Sequence, residues 1–375
     1  MINVFQPSLG AEELAAVKGV IESNWVGKGK VTDGFEADFA SYIRADRILV
    51  RSVSCCTEGL FQSMGLLGLG KGDEVILPSI SFVGAANAVI ASGAKIVFCD
   101  VDQRTLNATA ETIQAKVTPD TKAMMILHYG GAPCEMDEIT DLASRSGLAL
   151  IEDGACSVAS RYKGKACGTF GDFAAWSFDA MKILVCGDGG MIHCRTAKMA
   201  QRFEELVYLG LMTPSGTSSK AESKWWEFDI SCDGRRAVMN DLSSAIGVEQ
   251  LKKLPRFIAR RKEIHAQYDR ELGALGWLST PPPLPSYCES SYYFYWIQTQ
   301  PETRDSLAKY LKERDIYTTF RYFPLHWVKH YAAKCSLPGS EQAARSTLCI
   351  PIHQGLSDDE VGRIVESVRQ FGNRL

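Results

Sequence analysis

Two side chains in this sequence could together run carbonyl–amine chemistry. Lys182 lies within WSFDAMKILVCGDGG, and Asp153 closes the strand-like run LALIED, 29 residues earlier. The lysine sits in a largely apolar surround between Phe178 and Val185 and is followed by Gly187, Asp188, Gly189 and Gly190. An amine withdrawn from water is expected to have a lowered pKa and so to attack an aldehyde. A carboxylate at the carboxyl end of a buried strand can keep a ring nitrogen protonated. These are the two poles that pyridoxal phosphate requires: a lysine for the Schiff base and an acid that lets the pyridine ring act as an electron sink. Once released, the amine can carry a proton between a substrate carbon and C4′ of the cofactor. Glu152 is expected to face away, because successive strand residues point to opposite faces. Taken alone, a lysine is most often a solvated charge and a strand-end aspartate a cap. The pair carries the reading.

Elements able to position such a pair are legible. Apolar, β-rich runs occur at RILV (47–50), EVILP (74–78), KIVFCD (95–100), AMMILH (123–128), LALIED (148–153), FAAWSF (173–178) and GMIHC (190–194). Between the early ones lie amphipathic stretches such as TEGLFQSMGLLG and EMDEITDLASRSG. That alternation predicts an α/β fold with a largely parallel sheet, whose ligands sit beyond the carboxyl ends of the strands. Beyond residue 195 the pattern turns helical, with NDLSSAIGVEQLKKL running through Pro255 into RFIARRKEIHAQYDREL. PPPLP then marks a break before SYYFYWIQ, a helix near DSLAKYLKERD, and IYTTFRYF. The expected division is a large domain over 1–250 and a smaller α+β domain over 251–375.

Composition excludes several classes. The 375 residues carry a net charge of −3, which supplies no basic field for nucleic acid or an anionic membrane. No apolar run approaches the ~18 residues needed to span a bilayer, and the N-terminal stretch lacks a signal-peptide core, so a cytoplasmic location is expected. The twelve cysteines are scattered, without a C-x-x-C pair or a zinc-finger spacing, and most are expected to be reduced core residues. The glycines of GLLGLGKG do not form a dinucleotide-binding fingerprint, and no P-loop or nucleophile elbow is present.

Longer motifs point to a family. NWVGKGKVTDGFEADFA, GLGKGDEVILPSISFVGAANAVIASGAKIVFCDVD, FRYFPLHW and TLCIPIHQGLSDDEV, with the Lys182 segment, resemble the DegT/DnrJ/StrS aminotransferases, the sugar-aminotransferase branch of the fold type I pyridoxal phosphate enzymes. The resemblance covers nearly the whole chain. It implies an aspartate-aminotransferase-like large domain with a mostly parallel sheet between helices and a smaller C-terminal α+β domain. It assigns Lys182 to the Schiff base and Asp153 to the pyridinium nitrogen. Cys55-Cys56-Thr57 stands where the family has a phosphate-binding Ser-Gly-Thr turn, so Cys56 replaces a glycine while Thr57 keeps the hydroxyl. Ser177 matches a second phosphate hydroxyl and Phe82 the aromatic that stacks on the ring. Cys156 replaces a histidine or glutamine that packs near the ring. Arg236 aligns with a residue that reaches the partner subunit's phosphate, which implies a homodimer with shared active sites. Trp25, Lys28, Lys224, Trp225, Tyr322 and His326 are candidates for the substrate side, since aromatics and cations can hold a base and a diphosphate.

The implied reaction is transfer of an amino group from an amino acid, L-glutamate by the resemblance, through the pyridoxamine (PMP) form to a nucleotide-linked keto sugar. The motifs look most like relatives that aminate C4 of dTDP-4-keto-6-deoxyglucose to give a dTDP-4-amino-4,6-dideoxyhexose. Alternatives are an aminocyclitol aminotransferase, a sugar dehydratase and a catalytically silent ligand-binding relative. The dehydratases carry histidine where Lys182 stands. Cys56 and Cys156 motivate the silent relative.

Overall fold

In the computed structural model, which describes residues 1–211, 228–331 and 333–375, the apolar runs become strands in the order in which they were read. The large sheet takes β1 (Val50–Val53), β2 (Glu74–Pro78), β3 (Lys95–Cys99), β4 (Thr121–Leu127) and β5 (Ala149–Asp153). The short β6 (Arg161–Tyr162) and β7 (Lys165–Ala166) lie apart from it, and β8 (Phe173–Ser177) and β9 (Gly190–Cys194) complete it. Its order is β1-β9-β8-β5-β4-β2-β3. Neighbours pair in parallel except at β9, which runs antiparallel to β1 and β8. RILV differs from expectation: Asp46 caps Ile48, residues 47–49 form a 3-10 turn, and the strand begins at Val50.

Strands such as β2, buried along its whole length, need helices on both faces. The chain supplies α1 (Ala11–Glu22), α2 (Lys30–Ile43), α3 (Cys56–Leu66), α4 (Val83–Ala91), α5 (Ala110–Gln114), α6 (Met136–Ser146), α7 (Ala197–Val207) and α8 (Asp241–Leu272). Residues of α3, α4 and α7 share one core with Val75, Met125 and Ile151, whereas α6 packs with Ile76, Met124 and Leu150 on the other face. Toward the β8–β9 end of that second face, α2 and the first half of α8 bury Phe35, Phe39 and Leu254 against Ala174, Trp176 and Met191.

Helix α8 begins at the Asn240 cap and passes through Pro255 without a break. Its second half turns from the large sheet to a separate core. There β11 (Tyr295–Gln298) pairs antiparallel with β12 (Thr347–Ile350), after β10 (Cys288–Glu289) has joined β6 and β7. Ile264, Tyr268 and Leu272 pack there with α9 (Pro301–Lys312) and α11 (Asp358–Gly372), while α10 (Pro338–Ser346) leads into β12. The chain start returns to this part, as Ile2 bridges Ile316. Eight of the twelve cysteines are buried and all are free thiols. Among the described residues no group of His, Cys, Asp and Glu could hold a metal ion, and no helix is long and apolar enough to cross a membrane.

Candidate active site

Alternation along β5 decides which carboxylate serves the site. Ile151 faces the α3 side, so Asp153 does too, and Glu152 faces the α6 side with Leu150. Glu152 is fully enclosed: Oε1 accepts from the amides of Phe170 and Gly171 at 2.7 Å each, and Oε2 from Gly168 at 2.6 Å. His128 Nε2 lies 3.2 Å from Oε2, and its Nδ1 accepts from the Cys134 amide, which leaves Nε2 as the donor. Asp153 is 2% exposed and accepts one hydrogen bond, from the Ala155 amide at 3.0 Å. Burial raises its pKa, against the pull of that amide and of Lys182.

Lys182 is held on the loop between β8 and β9, where its amide donates to the Asp179 carbonyl at 2.9 Å and the Cys186 amide to Phe178 at 2.8 Å. Its Nζ lies 4.8 Å from the centroid of the Tyr293 ring. Burial alone would pull this amine down, as expected from the sequence, but Tyr293, Cys156, Asp153 and Cys56 around it outweigh burial, and its pKa stands above the ordinary lysine value. Tyr293 and both thiols are themselves pushed up by burial.

Next to this pair the start of α3 forms a cradle. Cys55 is the cap, its Sγ accepting from the Glu58 amide, and the amides of Cys56 and Thr57 have no carbonyl a turn before them, as in any first helical turn. Cys56 takes ordinary helical backbone angles, so replacement of glycine does not disturb these donors. Its Sγ turns inward to the Ala175 carbonyl at 3.5 Å. Gly190 explains the close approach: a Cβ there would fall 2.8 Å from the Cys56 nitrogen and 2.9 Å from the Trp176 carbonyl. Ser177 pairs with Gly190 across β8 and β9, and Thr57 Oγ1 lies 3.1 Å from where Gly84 would carry a Cβ, beside Phe82.

Phe82 caps α4 and is 45% exposed. It packs against Tyr322 with centroids 5.8 Å apart. The Tyr322 hydroxyl meets Cys156 Sγ at 3.8 Å, and burial pushes the Cys156 thiol up to about 11. Asp153, Lys182, Cys56, Thr57, Phe82, Cys156, Ser177 and Tyr322 are thus linked, neighbour to neighbour, in one cluster.

Other sequence candidates have different surroundings. Lys28 is tied to Glu36 at 3.5 Å and Glu204 at 3.6 Å, and Trp25, 60% exposed, donates its Nε1–H to the Lys28 carbonyl at 3.0 Å. Asp241 holds this loop by accepting from the Gly29 amide and from the Thr32 amide and hydroxyl. His326 is buried, with Nδ1 2.6 Å from Ser79 Oγ and Nε2 3.6 Å from Glu341. Burial lowers its pKa despite that acid. Arg236 is exposed and stacks over Tyr208. Lys224 and Trp225 lie outside the described residues.

The comparisons with known proteins concern the whole chain. Residues 7–369 match the DegT/DnrJ/EryC1/StrS aminotransferase family. The chain belongs to that family. It is 50% identical, over 99% of its length and 96% of the relative's, to a dTDP-4-dehydro-2,3,6-trideoxy-D-glucose 4-aminotransferase of Saccharopolyspora spinosa. It is 32% identical to the spore coat polysaccharide biosynthesis protein SpsC of Bacillus subtilis, over 97% of this chain and 95% of that one. Among solved structures it matches the aminotransferase TlmJ from Streptoalloteichus hindustanus with a TM-score of 0.95 and 52% identity, covering 99% and 98% of the two chains. The fold is therefore that of the fold type I aminotransferases, as the resemblance implied.

In this aminotransferase the cluster fits pyridoxal phosphate on three observations. Backbone amides at the start of α3, which Gly190 lets the β9 backbone approach closely, suit a phosphate. A buried carboxyl with one protein hydrogen bond suits a ring nitrogen. The amine belongs to the same cluster. Sequence reasoning missed Tyr293, whose buried hydroxyl has no partner although its ring lies beneath the amine. It lay hidden in the aromatic run SYYFYW, which signals only core packing.

Proposed function

We propose that this aminotransferase uses pyridoxal phosphate to move the amino group of L-glutamate to C4 of a dTDP-linked 4-keto-6-deoxyhexose. The observation that carries it is Lys182 and Asp153 in one cluster beside the α3 amides. Similarity to the 50% identical relative, named for a dTDP-4-dehydro-2,3,6-trideoxy sugar, supports the C4 position and widens the substrate set to sugars lacking the 2- and 3-hydroxyls.

When bound, the cofactor supplies an aldehyde and an electron-withdrawing ring. The chain's own groups do the rest. Lys182 would hold the aldehyde, and its Nζ would carry the proton as general acid and base. Asp153 keeps a proton on the ring nitrogen, and its enclosure keeps that interaction free of water. The amides of Cys56 and Thr57, with the hydroxyls of Thr57 and Ser177, would anchor the phosphate, while Phe82 and Cys156 would pack near the ring. In this reading Tyr322 and Trp25 offer surfaces to the nucleotide sugar, with Lys224 and Trp225 as further contacts, whereas Lys28 and His326 brace the walls. Arg236 reaches a partner subunit's phosphate in a homodimer. The division at 250/251 falls within α8, and the expected location is the cytoplasm.

Purified protein tests the reading. Reduction with borohydride should bleach a visible band and leave the label on Lys182 in peptide mapping. With glutamate and dTDP-4-keto-6-deoxyglucose, or its 2,3-dideoxy counterpart, an aminated sugar nucleotide should form. Full turnover by Lys182→Ala would overturn the assignment.

A further inference from the structure

One cation beside Lys182 is not used by the chemistry above. Arg321 is half-buried, and among the described residues its guanidinium meets no carboxylate; its one side-chain hydrogen-bond contact is Nη2 to Met181 Sδ at 3.5 Å. Met181 is the neighbour of Lys182. The guanidinium carbon also lies 4.9 Å from the centroid of Phe5, Phe5 stacks on Tyr293 at 5.5 Å, and Tyr293 underlies the Lys182 amine. The positive charge of Arg321 reaches both Tyr293 and Cys156. The Tyr293 hydroxyl, 1% exposed as a residue, has no hydrogen-bond partner. A planar fork of donors thus lies against the side chain next to Lys182, and a phenol lies beside the reacting amine itself.

From these contacts we propose that Arg321 and Tyr293 form the subsite for the α-carboxylate of the amino donor. The proposal rests on the aminotransferase reading. A guanidinium left without an acid is the protein's best match to a carboxylate, and the phenol O–H can donate to the same group. The position decides between the two anions that such an enzyme would meet. In a 4-keto sugar nucleotide the diphosphate leaves C1, across the ring from the reacting carbon. In an amino acid the carboxylate is bonded to the reacting carbon itself. A guanidinium held on Met181, the residue next to Lys182, with Tyr293 beside the amine, suits the second.

The test uses full-length protein carrying its cofactor, with Arg321→Gln, Arg321→Lys and Tyr293→Phe. Calorimetry with glutarate, an unreactive dicarboxylate, reads binding without turnover; Arg321→Gln should weaken it about 10- to 100-fold, with Arg321→Lys between. Kinetically, kcat/KM for L-glutamate relative to 4-aminobutyrate, which lacks only the α-carboxylate, should fall about 10-fold or more in Arg321→Gln, chiefly through KM. Tyr293→Phe should lower the same ratio by a smaller factor. Equal losses on both donors would overturn the proposal and leave Arg321 as packing on Phe5. Weakened binding of the sugar nucleotide with glutamate unaffected would overturn it in favour of a diphosphate contact. If the unaltered protein bound glutarate but aminated no keto sugar, the function reading would fail while the anion site stood.

Discussion

Glu152 and Asp153 are consecutive in β5 and serve opposite faces of the sheet: one carboxylate is closed off by three amides and His128, the other stands beside Lys182. Glu152→Gln would aim an amide N–H₂ or a weaker acceptor at groups that now donate to a carboxylate. It should destabilise the fold by about 3 kcal/mol in urea titration. Burial raises the Glu152 pKa, but His128 and the amides of Gly171 and Gly168 outweigh burial and hold it below 4.5. Because the folded value is depressed, the stabilisation is present above the unfolded pKa and lost as pH falls through the folded one. The variant should therefore lose less stability than the unaltered protein on acidification below about pH 4.5.

The opposite assignment of these two acids was legible from strand periodicity alone, because one slip along β5 would exchange them. Strands β2 to β9 of the large sheet could be read for a related reason: burial on both faces leaves continuous apolar runs between glycines and helices. Helix α8 was readable through Pro255, since the periodicity on either side continues. Tyr293 and Arg321 were not. Their roles depend on where the second core docks, which brings residues 293 and 321 to a loop at 182, and no local pattern encodes such a contact. His326 and Lys28 looked like free polar groups in sequence, yet Ser79, Glu341, Glu36 and Glu204 meet them from distant segments.

Asp153→Asn should separate activity from stability. Asparagine keeps an acceptor for the Ala155 amide but cannot hold charge against a ring nitrogen, so turnover should fall about 10²- to 10³-fold. Burial raises the folded pKa of Asp153 above 3.8, so the folded state binds its proton more tightly than the unfolded chain. Stability from this group is then full at low pH and declines as pH rises through the folded value. Protein freed of cofactor should therefore melt at a higher temperature at pH 7 as Asp153→Asn than unaltered, a difference that closes below about pH 4.

Gly190→Ala tests the closeness of β9 and α3. The added methyl would collide with backbone atoms of Cys56 and Trp176 at 2.8 and 2.9 Å, which cannot swing aside as a side chain can. Displacement of the α3 start should cost about 1–3 kcal/mol of stability. It should also weaken pyridoxal phosphate binding, read by absorbance titration, by more than the loss of one hydroxyl in Ser177→Ala.

Cys56→Gly asks whether the thiol or the amide matters at the helix start. The Cys56 side chain is buried in the core with Leu60 and Ala175, and its Sγ meets the Ala175 carbonyl. Glycine would leave a small void and a freer chain at the first helical position, together costing about 1–2 kcal/mol in urea titration. The amide itself remains. If the phosphate is held by backbone donors, cofactor affinity in Cys56→Gly should fall far less than in Gly190→Ala, although both variants lose comparable stability. A larger loss of affinity in Cys56→Gly would mean that the thiol, not the helix start, carries the contact.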